Sequence, residues 1–511
     1  MTAAFTKLKT HFANWREWEF NPIVIKELRQ GVRSWTVTGM LLLFLVVLLL
    51  TSLALLIAES FDAGNLEMGG KMFSAFVVIL AGASAFFIPL YTGVRVAAER
   101  VENNHDLLYV STLSPARIIW GKFLCSAYIV LLFFSACMPF MAFTNLLRGV
   151  DLPTVFFILA FLFLVVCAIN MVAIFLACLP LSRPFKFLFV IYGIFQSFGV
   201  IGSLVAACFE FMQTGVGAKL SEGNFWIGVL TALLLGLAVT GLFFVLAVAL
   251  ITPPSANRAW PVRIYLTGFW LLGGGAALFW GVQTGEADRL LAWAYPTLVI
   301  MLLALLVTIS NSDALSLRVR RTIPASAVKR FFAFFFFNGA AGGLAWVAAI
   351  LAVTYGTASA IISALPTKGI GSASPSVGIT SLTIAAYAFD YTLTGLFIQR
   401  KFLPRRPPKL AGLLAILLAG GWAIAPVIIL FFVNQLSWRS VEGLQLGNVF
   451  NVFSARDDHQ LMAHLFFACG WLGLAVALNG KWFVQQVRNF RPPQPAAQAV
   501  PPPLPTQEIS R

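Results

Sequence analysis

Residues 37–57 read VTGMLLLFLVVLLLTSLALLI, 21 consecutive positions without a charged side chain. An α-helix rises about 1.5 Å per residue, so a run of this length crosses the roughly 30 Å hydrocarbon core of a bilayer. It begins behind a long basic and aromatic stretch and is longer than the roughly 7–15 residues of a signal-peptide core, so the span is expected to stay in the membrane.

Working outward from it, comparable stretches follow at 73–94, 123–145, 154–180, 187–209 and 225–251, then at 264–284, 290–310, 331–353, 378–398, 411–433 and 461–480. Apolar residues fill 59% of the 511 positions and charged residues only 11%, with a mean hydropathy of +0.87, whereas soluble domains carry roughly 25% charged residues. These features predict an all-α fold, a polytopic transmembrane helical bundle of about twelve spans. Residues 1–36 precede the first span, 37–251 and 252–480 each hold six spans, and 481–511 form a Pro-rich tail expected to be extended or disordered.

The net charge of +15 is explained by placement rather than by a nucleic-acid partner. When connections are assigned to alternate sides, 28 of the 35 Lys and Arg fall on one side, and only Lys71, Arg148, Lys219, Arg289, Lys368, Arg439 and Arg456 fall on the other. Positively charged loops are retained in the cytoplasm, so both termini are expected there, in a multi-pass protein of the cell (inner) membrane. One span missed or invented would invert the alternation downstream and erase the bias. The cations also suit anionic lipid head groups.

Two basic segments have local structure. Residues 21–35, NPIVIKELRQGVRSW, place Asn21 as an N-cap and Pro22 at the first helical position. At helical spacing Val24, Ile25, Leu28, Val32 and Trp35 share one face while Lys26, Arg29 and Arg33 share the opposite one, which predicts a helix lying in the membrane interface. Such a helix serves equally as an anchor or as a docking element. Residues 99–122, ERVENNHDLLYVSTLSPARIIWGK, contain Ser114-Pro115, a second N-cap with a first-position Pro, so two helices joined by a hydroxyl-rich turn form a rigid knob on the basic side.

Both segments resemble the entry helix and coupling loop of ABC-transporter permeases of the type-two, exporter class. In the entry helix the resemblance rests on Asn21, Pro22, Lys26, Glu27, Leu28, Arg29 and Arg33, and in the loop on Glu99, Arg100, Glu102, Leu107, Leu108, Ser114, Ile119, Gly121 and Lys122. The Gly-Thr common after the charged run is replaced by Asn103-Asn104, which leaves the end of the first helix open. The resemblance implies a permease subunit whose loop 95–122, with Pro115 and Arg117 in its turn, sits in a groove of a separate ABC ATP-binding subunit. The chain has no G-x-x-x-x-G-K-[ST] loop; its nearest string, Gly69-Gly70-Lys71-Met72, lacks the hydroxyl that would hold magnesium. ATP hydrolysis is therefore expected on the partner, and no cofactor is expected here.

Six spans per half return the chain to the same side, so residues 315–330 occupy the position that the coupling loop holds in the first half. That points to a parallel tandem in which the two halves form a pseudo-dimer, with a homodimer as the alternative. Asp390 is expected to be the sole charged residue inside a span, serving either a polar pathway or proton site, or helix packing. The runs Gly273-Gly274-Gly275 and 339–343 suit close helix packing. Six cysteines without C-x-x-C spacing read as core residues, and His11, His105, His459 and His464 do not form a zinc set, which argues against an enzyme. An ion-coupled secondary transporter and a non-transporting membrane scaffold remain the rival classes.

Overall fold

The structure, a computed structural model, describes residues 22–60, 68–101, 114–147, 150–180, 183–214, 219, 221–284, 288–364, 375–433, 445–454 and 458–493. These residues are helical, without strands, and twelve helices are long and apolar enough to cross a membrane. The chain is an all-α polytopic membrane protein. It divides into two compact units, Met1–Pro253 and Pro254–Arg511.

The first unit holds the entry helix α1 (Pro22–Val32) and the spans α2 (Trp35–Ser60), α3 (Met68–Val101), α4 (Pro115–Leu146), α5 (Leu152–Cys178), α6 (Arg183–Thr214) and α7 (Gly223–Ile251). Its core is aromatic, built on Phe44, Phe73, Phe76 and Phe133 with Leu162, and the Phe44 and Phe133 rings lie 5.2 Å apart. On α2 only Val37, Phe44 and Leu48 turn inward, while Leu42, Leu43, Leu49, Leu50 and Leu53 stand exposed. Burying apolar surface is worth about 25 cal/mol per Å² against water, so this face would be heavily penalised in solution and carries no penalty against lipid tails. Asp151 starts α5 sharply, its carboxylate accepting from the Thr154 backbone N–H at 3.3 Å.

The second unit contains α8 (Ala259–Thr284), α9 (Asp288–Ile309), the short α10 (Leu317–Arg320) and α11 (Ala327–Phe336), α12 (Ala340–Ala364), α13 (Pro375–Phe402), α14 (Lys409–Val433), a 3₁₀ turn (Val449–Ser454) and α15 (Asp458–Asn489). The two units share an order of packing. In each, the second span lies against the first, third, fourth and fifth, the fourth against the third, fifth and sixth, and the third meets the sixth.

Several span boundaries differ from the sequence expectation; α3, expected at 73–94, runs over Met68–Val101. The ninth span, expected at 331–353, runs over Ala340–Ala364, and α11 before it is a separate helix. Asn338-Gly339 causes the break. Gly339 has φ +133°, a left-handed value that suits glycine, while Asn338 donates to Ala256 O at 3.1 Å and accepts from the Ala259 N–H at 2.8 Å. Arg263, counted among the residues connecting two spans, is buried within α8 and donates to the carbonyls of Phe335 and Phe337, both at 2.8 Å, and of Gly339 at 3.3 Å. It thereby satisfies the carbonyls that the end of α11 leaves open.

Two further differences lie in the last span and α13. Helix α15 continues to Asn489, so residues 481–489, read as tail, are helical, and Phe490 packs on Phe334 and Phe337. Helix α13 extends to Phe402, which places Asp390 about 18 Å from that end at 1.5 Å per residue, deeper than its expected position near 398 implied. The glycine runs act as close-packing sites, since a Cβ on Gly343 would strike the Thr308 methyl and one on Gly274 would lie 2.7 Å from the Trp293 ring.

Arg263→Leu would remove the guanidinium donor from the Phe335 and Phe337 carbonyls and one of two donors from Gly339 O, which keeps the Gly343 N–H. A hydrogen bond to a charged group contributes about 1.5–3 kcal/mol, so this variant should lose at least that much stability in detergent thermal melts. An unchanged melting temperature would show that the break at Asn338 is held by other contacts.

Candidate functional site

The sequence-derived residues converge at the Lys/Arg-rich ends of α1, α3 and α4. Helix α1 turns Val24, Glu27 and Gly31 into the unit and leaves Lys26, Arg29 and Arg33 exposed. This corrects the expected apolar face: Val24 is buried and Leu28 is half-buried, but Ile25, Val32 and Trp35 are exposed, with Trp35 at 84%. The reason is that a charged residue, Glu27, takes the inward position. Exposed apolar side chains beside exposed cations are what an interfacial helix offers to lipid.

Glu27 faces inward because the unit supplies cations to meet it. Lys122, 9% exposed, places Nζ 3.0 Å from Glu27 Oε1 and 2.5 Å from Glu99 Oε2. Arg95 lies 3.5 Å from Glu27 Oε2 and donates to Gln30 Oε1 at 2.5 Å and to the Tyr91 hydroxyl at 2.8 Å. Two carboxylates and two cations thus join the entry helix to the helices that flank the loop on either side. Tyr91, Arg95 and Glu99 stand four residues apart on one face of α3, so they meet α4 together.

Helix α4 starts as its sequence demands, with Pro115 in the first turn and Ser114 Oγ accepting from the Arg117 backbone N–H at 3.4 Å. Gly121 is buried. Arg100 lies in the last turn of α3, and its side chain lies outside the described residues, as do Asn21, Glu102, Leu107 and Leu108. The structure therefore brings together Glu27, Glu99 and Lys122 and adds Arg95, Gln30 and Tyr91, which sequence reasoning passed over. The four-residue spacing from Tyr91 to Glu99 was the available signal.

A second polar cluster lies in the second unit. Gly447, with φ +90°, carries the segment 445–454 against α13 and α14, and a Cβ there would collide with the Trp422 ring of α14. Its N–H donates to the Tyr387 hydroxyl at 3.1 Å, and its carbonyl accepts from the Tyr391 hydroxyl at 2.5 Å. His464, fully buried, sits 3.0 Å from the Tyr387 hydroxyl through Nδ1 and 3.1 Å from Asn451 Oδ1 through Nε2. Because Asn451 Oδ1 also accepts from the Gln445 N–H at 2.9 Å, the network assigns the proton to Nε2, leaving Nδ1 to accept from Tyr387. Asp390, between the two tyrosines on α13, is fully buried, and neither carboxylate oxygen has a hydrogen-bond partner among the described residues.

Asp313, on the connection between α9 and α10, accepts from the Ala340 N–H at 3.0 Å and from Trp482 Nε1 at 3.1 Å. Burial raises its pKa from the usual carboxylate value, an effect that these two donors and nearby Arg400 oppose. Among the described residues no group of His, Cys, Asp or Glu is arranged to hold a metal ion.

The chain is thus a multi-pass membrane protein with a charged junction at one end and a buried polar cluster in its second unit. No protein family, curated protein or solved structure matches it.

Removing Lys122 leaves two carboxylates facing each other without their main cation. Breaking a buried pair costs about 3–5 kcal/mol, whereas replacing the whole set by apolar or neutral groups is often close to neutral. Lys122→Met should therefore lower thermal stability sharply, and Glu27→Gln with Glu99→Gln in the same chain should restore most of it. If the triple variant were no more stable than Lys122→Met, the charges would not act as one network.

Proposed function

We propose that this chain is the membrane permease subunit of an ATP-driven exporter of the ABC type-two class, working with a separate ATP-binding subunit. The observation that carries the proposal is the Glu27–Arg95–Glu99–Lys122 network. Residues 102–113 join the ends of α3 and α4, and those ends are fastened to each other and to α1 by buried ion pairs. A push on the connection therefore moves three helices as a block rather than bending one loop. A soluble motor needs this mechanical property in its membrane partner, and three of the four residues that create it, Glu27, Glu99 and Lys122, are among those that resemble the permease family. The packing order shared by the two units supports a tandem of two permease-like halves.

An ion-coupled secondary transporter is the second reading, favoured by one observation, the unpartnered carboxylate of Asp390 at mid-helix depth. The two differ in their energy source. Purification in mild detergent from native membranes should retain a nucleotide-binding protein with ATPase activity. Replacing residues 102–113 by a Gly/Ser linker should release that protein while leaving the melting temperature of the chain within a few degrees. Purified chain without associated ATPase, or association unaffected by the linker, would refute the exporter assignment.

A further inference from the structure

The carboxyl group of Asp390 has no role in the junction described above. It lies mid-way along α13, fully buried, with both oxygens unpartnered among the described residues. At this depth an ionised carboxylate without a cation or donors is strongly disfavoured, because the surroundings replace none of its lost hydration. The elements packed on α13 are α9, α12, α14, α15 and the 3₁₀ turn. Within the span they contribute Tyr295 from α9, Tyr355 from α12 and His464 and Cys469 from α15 as ionisable groups, while α13 itself adds Tyr387 and Tyr391. The cations Arg400, Lys401, Lys409 and Lys481 stand toward the Lys/Arg-rich end. None of these residues is hydrogen-bonded or ion-paired to Asp390.

A route toward the opposite end is nonetheless built. Tyr387, one turn from Asp390 on α13, donates to His464 Nδ1, and His464 Nε2 donates to Asn451 of the folded-in segment 445–454. This is a run of groups that both give and accept protons, placed between a buried acid and a connection between spans.

We infer that Asp390 is a proton-binding site in the second unit, occupied by a proton in this conformation and exchanging it by way of Tyr387, His464 and the 445–454 segment. A carboxyl group used only for packing would be expected to find a donor or acceptor among its neighbours, as Asn479 does on α15, where it donates to Leu393 O at 3.1 Å. Asp390 is the reverse case: a titratable group kept unbonded while a hydroxyl and an imidazole nearby are aligned toward the loop. The inference holds whichever energy source drives the protein.

Infrared difference spectroscopy on the full chain in lipid nanodiscs tests it. The carbonyl band of a protonated, buried carboxyl should be present at neutral pH in the wild type, absent in Asp390→Asn and shifted but retained in Asp390→Glu. It should fall reversibly as pH is raised within the folded range. In D₂O the band should shift by isotope exchange, at least ten-fold more slowly in His464→Leu and in Tyr387→Phe. A missing band in folded wild type would overturn the assignment, as would a band that neither titrates nor exchanges before unfolding. Loss of the band on adding sodium at fixed pH would make this a metal-cation site and would equally overturn it. If Asp390→Asn fails to fold, Asp390→Glu and the two route variants still decide the outcome.

Discussion

The hydrocarbon core of a bilayer offers no hydrogen-bond partner, and every polar group that enters it must be satisfied from within the protein. That constraint explains the helices themselves and also where the charged side chains lie. Glu27 and Lys122 are buried only as members of a set whose charges cancel. Arg263 is buried because three backbone carbonyls at the end of α11 converge on its guanidinium. The Tyr387–His464–Asn451 group is closed by the backbone of Gly447. Asp390 departs from the rule, which is why a bound proton is the natural occupant of its site.

The same constraint decided what could be read from the sequence. Eleven of the twelve spans were legible to within a few residues at most ends, because a lipid-crossing helix must be apolar over a fixed length whatever its neighbours are. The ninth was displaced because the Phe-rich stretch 331–337 is as apolar as a span. What stops it is the local chemistry of Asn338-Gly339 together with a distant arginine, neither of which hydropathy registers. The start of α8 was set late because Arg263 is satisfied by tertiary contacts rather than by water.

The charged junction was legible as two separate motifs but not as one site. Glu27 and Lys122 are 95 positions apart, and nothing in their local patterns says that they meet. The entry helix shows the cost of reading amphipathicity alone: its most inward polar position is a glutamate, and Ile25 and Val32, expected on the buried face, are exposed. His464 was invisible for the opposite reason. A buried histidine on an apolar helix has no pattern, and its partners include a segment whose compact turn depends on one glycine at positive φ. Meanwhile the shared packing order of the two units, which little sequence identity foretells, follows from the even number of spans in each and from equivalent helices meeting equivalent neighbours.

The proposed exporter role requires the Ser114-Pro115 turn and the α10–α11 segment to lie on one side of the membrane and the α2–α3 connection on the other. Single cysteines placed at positions 71, 117 and 330 of a cysteine-free chain, challenged with a membrane-impermeant maleimide in intact cells, test this most directly. Labelling at 71 alone, with 117 and 330 reacting only after the membrane is opened, is the expected pattern. Labelling of 117 from outside, or of 117 and 330 from opposite sides, would contradict the account.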